Sequence, residues 1–218
     1  MTETLSRDDV LAALRAMAAD LTANAERLRE LDAAIGDGDL GITMTIGFGA
    51  VVEGLDTLAD QDIATILLRS GMAFNRKAAS TFGVLFATMM MRAAKEAKGL
   101  EQVGLADLAR MAQSAAEGVM ERGKAQLGDK TLLDALVPAA QALQAAAEAV
   151  TPLAAALQEA AAVAAEGATA TIEMKSRSGR SSWFAERTVG AQDPGATAIQ
   201  LMFDSLAGYV GSLNQTTD

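Results

Sequence analysis

Apolar residues recur every three or four positions along most of this 218-residue chain, with no convincing stretch of strict alternation. That period commits a chain to helices, because only a 3.6-residue turn gathers such positions on one face. Val10, Leu11, Leu14, Met17, Leu21, Ala25, Leu28 and Leu31 follow it, with Asp20, Asn24, Arg27 and Glu30 between them. Ser6 with Asp9 predicts the N-terminal cap of this first helix, and Gly36 and Gly38 end it near Ile35. Further helices are expected from about Ile42 to Leu58 and from Asp62 to about Arg76. The stretch from Thr81 is apolar almost all round until Arg92, which suits a central helix, with Met89, Met90 and Met91 as core filler. Leu105 to Gly123, Thr131 to Ala149, Pro152 to Glu166 and Pro194 to about Leu213 complete the set. Thr151 and Asp193 each precede a proline, the signal of a cap followed by the first helical residue. This makes eight helices, give or take one, and no hairpin. Aromatics are only 4% and Ala and Leu dominate, which agrees with packed helices rather than sheets. The expected fold is all-α, a single domain over residues 1–218 built as an antiparallel bundle. Lys175 to Gln192 is the one long stretch without helical period, and a loop of that length in a compact domain is often functional.

Composition removes several kinds of chemistry. The chain has no His, which rules out a Ser-His-Asp triad, a His-ligated zinc site and a phosphohistidine relay. It has no Cys, so it forms neither disulfides nor a thiolate metal site, and a reducing compartment fits. A net charge of −10 argues against nucleic acid as a partner. The N-terminus lacks the basic-then-apolar order of a signal peptide, and no apolar run is long enough for a membrane span. A cytoplasmic chain is expected. Carboxylates, hydroxyls, Lys, Arg and backbone groups are left to do the work.

The carboxylates that stand out lie in LDAAIGDGDLGIT, residues 31–43. Asp32, Asp37 and Asp39 do not share one helical face, but Gly36 and Gly38 allow the backbone to turn so that the three converge. Such a cluster repels itself unless a cation neutralises it, and an all-oxygen set suits a hard ion such as Mg²⁺ or Ca²⁺. An EF-hand is excluded, since a loop starting at Asp37 would have Phe48 where the bidentate Glu belongs. Asp39 also suits a plain cap of the following helix. Gly41, Ile42 and Thr43 open that helix, where free amides bind phosphate readily.

With these residues in view, LDAAIGDGDLG resembles the metal loop of the nucleotide-binding L subunit of dihydroxyacetone kinases. Two further segments agree in the same order: ERGKAQLGDKTLLDALVPA from Glu121 to Ala139, and SGRSSWFAERTVGAQDPGAT from Ser178 to Thr197. The three are spread along the chain between residues 31 and 197. The resemblance implies an eight-helix antiparallel barrel with nucleotide at one end. It implies that Asp32, Asp37 and Asp39 hold two Mg²⁺ ions, and that Leu40, Gly41, Ile42 and Thr43 meet the phosphates of ADP or ATP. Gly123 and Leu132 would line the nucleoside pocket, and Arg180 with Asp193, Pro194 and Gly195 would close it. Arg180 is also the candidate phosphate stabiliser; no other catalytic residue is assigned. Asp134 and Lys130 are expected to serve as a helix cap and in a surface ion pair.

Two positions depart from the family pattern. Leu40 stands where the family usually has His. The family's Gly-Gly-Ala-Ser-Gly-Pro phosphate loop aligns with Ala79 to Val84, so that Phe82 replaces a small hydroxyl residue while Ser80 and Thr81 still offer hydroxyls. The metal carboxylates are intact.

The activity implied is phosphoryl transfer to a ketose, dihydroxyacetone or a related tetrulose, held on a separate substrate-binding kinase subunit through that subunit's histidine. A chain without His agrees with this division of labour. Family members either exchange ATP or keep ADP bound and are rephosphorylated by a phosphotransferase-system protein, and the sequence leaves both open. A homodimer is also left open. The alternative is a non-catalytic nucleotide-sensing module that contacts a regulator.

Overall fold

The computed structural model describes residues 2–178 and 180–215, the side chains of Arg180, Ser181, Trp183 and Phe184 excepted. Nine α-helices are present among them: α1 (Arg7–Ala23), α2 (Ala25–Ile35), α3 (Leu40–Leu55), α4 (Ile63–Lys77), α5 (Thr81–Glu96), α6 (Leu105–Gly123), α7 (Leu133–Glu148), α8 (Leu153–Ala170) and α9 (Pro194–Gln215). Each packs on the next from α3 to α9, and α1 closes the ring by touching both α9 and α3. Neighbours run antiparallel. Tyr209 near the end of α9 donates a hydrogen bond to Asp9 at the start of α1, and Gly167 near the end of α8 lies against Asp134 at the start of α7. The eight-helix antiparallel barrel that the resemblance implies is therefore present, with α2 as a ninth helix outside the ring.

That ninth helix corrects the expectation of one continuous helix from Ser6 to Ile35. Asn24 divides it, with φ −95° and ψ 8°, and its side-chain amide competes for the carbonyl of Asp20 at 2.9 Å. The Ser6–Asp9 capping box forms as expected, and Asp62 and Ser80 cap α4 and α5. Pro152 is itself the cap of α8, one residue later than the sequence suggests.

A second correction is a small sheet. Thr4–Ser6 (β1) pairs antiparallel with Gln102–Gly104 (β2), Leu5 opposite Val103. Both strands lie before helices that start at the same end, so the sheet ties that end of the barrel shut. Leu5 and Val103 are buried there.

The interior is filled by Ala, Leu and Met around a cluster of phenylalanines. Phe48 meets Phe74 edge-on at 5.2 Å, and Phe86 lies 5.4 Å from Phe48 and 4.6 Å from Phe74. Met89 is buried as core filler, but Met91 is 50% exposed. No helix among the described residues is long and apolar enough to cross a membrane.

Candidate functional site

Because neighbours alternate in direction, the start of α3, the α4–α5 turn, the α6–α7 loop and the α8–α9 loop all fall at one end of the barrel. That end also carries α2, which touches α3, α9 and the 3₁₀ segment Arg180–Thr188. The sequence-derived site residues lie on these four connections.

The acidic loop joins α2 to α3. Asp32 is on the last turn of α2, and Asp39 immediately precedes Leu40, the first residue of α3. One carboxylate oxygen each from Asp32, Asp37 and Asp39 lie within 4.8 Å of one another. Asp32 has two tasks. Its Oδ2 accepts from the amides of Asp39 (2.8 Å) and Leu40 (3.1 Å), which fixes the entry to α3. Its Oδ1 is close to Gly36, where a Cβ would come within 2.4 Å, so only glycine leaves room for that oxygen. Gly38 turns the chain at φ +76°, a conformation that side chains disfavour. Burial raises the Asp32 pKa, and the charges of Asp37 and Asp39 add to it against the two amides.

This donor set fits a hard divalent cation. Mg²⁺ holds oxygens at about 2.1 Å, which puts ligand oxygens roughly 3–4 Å apart. Modest tightening of the three aspartates reaches that spacing. The next amides of α3, from Gly41 and Ile42, lie in a first turn whose amides have no acceptor within the helix. Leu40 and Thr43 point their side chains inward, whereas Ile42 is 57% exposed.

At the α4–α5 turn, Ser80 Oγ accepts from the amide of Gly83 at 3.0 Å as the cap of α5. Thr81 is exposed. Phe82 is buried and lies 6.3 Å from Phe74. The unusual residue of the phosphate-loop alignment thus belongs to the core and leaves the hydroxyls to its two predecessors. Leu40 is likewise buried, so neither departure places a polar side chain at the site.

The other half of the site is stitched together by buried polar groups. Lys130 is the main correction here. It is 1% exposed, with φ 60°, and makes no surface ion pair. Its ammonium donates to the carbonyls of Met174 (3.1 Å), Ala191 (2.7 Å) and Thr188, all in the connection between α8 and α9. Burial lowers its pKa, opposed by the charges of Asp193 and Glu173. Asp134 caps as expected but within the core, accepting from Gly128 (2.6 Å) and Thr131 (2.7 Å). The amide of Arg177 adds a bond to the carbonyl of Asp129 at 3.0 Å.

Asp193 caps α9, its Oδ1 accepting from the amide of Ala196 at 2.7 Å, with Pro194 as the first helical residue. Its own amide donates to Thr171 Oγ1 at 2.8 Å. Burial pushes its pKa up to about 7, with the charge of Asp134 adding to the rise. Gly195 rests on Leu132, where a Cβ would lie 3.3 Å from the leucine's own. Leu132 therefore meets the Asp193-Pro194-Gly195 turn at Gly195. Gly123 is the last residue of α6, and the left-handed cap that follows is Lys124 at φ 55°. The side chain of Arg180 lies outside the described residues. The sequence missed the role of Lys130, whose three acceptors lie forty-four to sixty-one residues further along the chain and leave no local signal.

Comparison with known proteins gives the family. The model of the DAK2 domain matches residues 34–208. The chain belongs to the DAK2 domain family. Its relatives include the ADP-binding subunit DhaL of the PEP-dependent dihydroxyacetone kinase of Escherichia coli (strain K12), 38% identical over 93% of this chain and 97% of that one. The corresponding subunit of dihydroxyacetone kinase 2 of Listeria innocua is 35% identical over 88% and 89%. The L-erythrulose kinase of Pectobacterium atrosepticum is 33% identical over 95% of this chain, which spans 36% of that protein. Among solved structures, the native dihydroxyacetone kinase of C. freundii matches with TM-score 0.69 and 25% identity over 91% of this chain. The same enzyme in complex with AMP-PNP and Mg²⁺ matches with TM-score 0.72 and 24% identity over 95%, a likeness of fold. The chain spans about a third of those two longer chains, 34% and 35%.

Proposed function

We propose that this DAK2-family chain, read as one L-type domain over residues 1–218, is the Mg-nucleotide-holding subunit of a cytoplasmic ketose kinase, with the ketose held by a separate subunit. The observation that carries this reading is the convergence of Asp32, Asp37 and Asp39 within 4.8 Å at the start of α3. Asp32, Asp37 and Asp39 would hold the cation, two ions in the full site, and within the stretch from Leu40 to Thr43 the free amides of Gly41 and Ile42 would meet phosphate, since those of Leu40 and Thr43 are already bonded to Asp32 and Asp39. When bound, Mg²⁺ neutralises charge on the phosphates and so lowers the cost of transfer. Ser80 and Thr81 offer hydroxyls from the neighbouring turn, beside Phe82. Gly123, Leu132 and the Asp193-Pro194-Gly195 turn form the nucleoside side, and Arg180 supplies a further positive charge.

The chain's contribution is positioning and charge compensation, since phosphoryl transfer asks little covalent work of a protein. The bond that breaks joins the terminal phosphorus to its bridging oxygen on the nucleotide. The bond that forms joins that phosphorus to a ketose hydroxyl oxygen, whose proton leaves on the partner's side. With no His to hold a carbonyl substrate, this chain depends on the partner subunit.

For the phosphoryl source we favour resident ADP recharged by a phosphotransferase-system protein. Relatives named as PEP-dependent ADP-binding subunits match this chain nearly end to end, which supports that choice. The ketose is a short one, and erythrulose kinases among the relatives keep a four-carbon substrate in view.

The test is turnover. Purified chain is mixed with a dihydroxyacetone-kinase substrate subunit and either dihydroxyacetone or erythrulose, with ATP in one arm and a phosphoenolpyruvate-driven phosphotransferase system in the other. Ketose phosphate formed in the second arm supports the whole reading. ATP-driven turnover alone supports the kinase and sinks the choice of donor. No product in either arm, with the subunits shown to associate, would favour a nucleotide-sensing role.

A further inference from the structure

We propose that Gly41 is a positioning residue for the aspartate cluster: having no side chain, it lets α2 seat directly on the first turn of α3, and that seat holds Asp32 beside Asp37 and Asp39. The proposal rests on the metal site put forward above and gives Gly41 a role apart from its amide, which any residue but proline would supply.

The helix that carries Asp32 is weakly anchored. It stands outside the ring, and of its 11 residues Leu28 alone is buried. Apolar burial fixes the barrel helices, and α2 has little of it. Its place depends instead on two points of attachment to the entry of α3. At its end, Asp32 accepts from the amides of Asp39 and Leu40. At its start lies Gly41, which is buried beneath it. A Cβ at Gly41 would come within 2.1 Å of the carbonyl oxygen of Ala25, the first residue of α2, and 3.0 Å from Arg29 Cβ one turn on. Only a hydrogen fits there. Because the crowded atom is backbone, no change of rotamer clears it. A methyl group would push α2 off by roughly 1 Å to regain contact distance, and a set of ligands tolerates displacements of only about 0.5 Å. Asp32 is seven residues along the same rigid helix, so it moves with the displaced end. Gly47, also on α3, shows that crowding alone is not the point. A Cβ there would meet the Phe74 ring at 2.4 Å, but that contact faces the core and not α2.

The test uses the full chain in two measurements. The first needs no ligand: the amide proton of Asp39, bonded to Asp32 Oδ2, is followed by NMR in the nucleotide-stripped chain. In Gly41→Ala it should move toward its position in Asp32→Ala, and in Gly47→Ala it should stay at the parent's. The second is calorimetry with Mg-ADP. Gly41→Ala keeps the amide and all three carboxylates, yet affinity should fall about 10-fold. In an Asp32→Ala background the same change should cost nothing further, since residues that act through one another are not additive. Gly47→Ala lowers the melting temperature and leaves the affinity of the folded chain unchanged, which separates positioning from general destabilisation. An unmoved Asp39 amide in Gly41→Ala overturns the proposal, as do losses from Gly41→Ala and Asp32→Ala that multiply, or an equal loss of affinity in Gly47→Ala. Absence of Mg-ADP binding by the parent itself would sink the metal site instead, and a displaced Asp39 amide would then still uphold the seat.

Discussion

Lys130 Nζ lies 2.7 Å from the carbonyl oxygen of Ala191, sixty-one residues further along the chain. With the carbonyls of Met174 and Thr188 it satisfies all three ammonium protons inside the protein. The α6–α7 loop and the α8–α9 connection are thereby held as one body, and the second contains the Asp193-Pro194-Gly195 turn. Lys130→Met keeps the buried stem but orphans three carbonyls. It should cost roughly 3 kcal/mol in urea unfolding, and limited proteolysis should cut between residues 175 and 192 sooner than in the parent. Unchanged stability and cutting would mean that the buried lysine holds nothing.

In the proposed metal site Asp32 serves the scaffold as well as the ion. Asp37 and Asp39 have exposed side chains, so Asp37→Ala should weaken Mg-dependent ADP binding on the order of 100-fold with the circular dichroism of the helices unchanged. Asp32→Ala should lose the same affinity and in addition about 1 kcal/mol of stability, since it also caps α3. If both variants lose stability equally, the division of roles between these residues is wrong.

Gly36 tests positioning without touching a carboxylate. A methyl group there would press within 2.4 Å of Asp32 Oδ1 and swing it out of the cluster. Gly36→Ala should therefore reduce Mg-ADP affinity by about 10-fold while leaving the ligand set intact. Calorimetry on this variant beside the parent reads the effect, and full affinity would show that the loop adapts freely.

Asp193 carries a pH dependence. Its pKa moves from an ordinary 3.8 to about 7 in the folded chain. Between those values the folded state keeps a proton that the unfolded state gives up, so this group makes stability fall as pH rises through the window. Asp193→Asn can still accept from the Ala196 amide and no longer titrates. The difference in stability between Asp193→Asn and the parent should grow in the variant's favour from pH 4 to above pH 7, measured by urea unfolding at several pH values. A constant difference would contradict the burial of a charge there.

Most of the barrel was legible because Gly36, Pro152 and Pro194 mark helix ends and the apolar period runs between them. The acidic loop was legible for a related reason: three aspartates within eight residues, interleaved with two glycines, have few other uses. Asn24 was not, since its side chain breaks the helix by a local competition that leaves the apolar stripe undisturbed. Three-residue strands such as Thr4–Ser6 carry too little alternation to register as a pattern. Lys130 was misread because a charged residue in a loop is ordinarily solvated; its burial depends on carbonyls supplied from more than forty residues away, which no local pattern encodes. Met91 continues an apolar run yet faces outward, since a helix in a ring has only one inner face.

In the proposed function, three aspartates at the mouth of the barrel hold a metal that in turn holds a nucleotide. Calorimetric titration of the nucleotide-stripped chain with ADP, with and without Mg²⁺, tests it most directly. Saturable binding that requires Mg²⁺ and is lost in Asp37→Ala is expected. Binding of equal strength without the metal, or none under either condition, would contradict it.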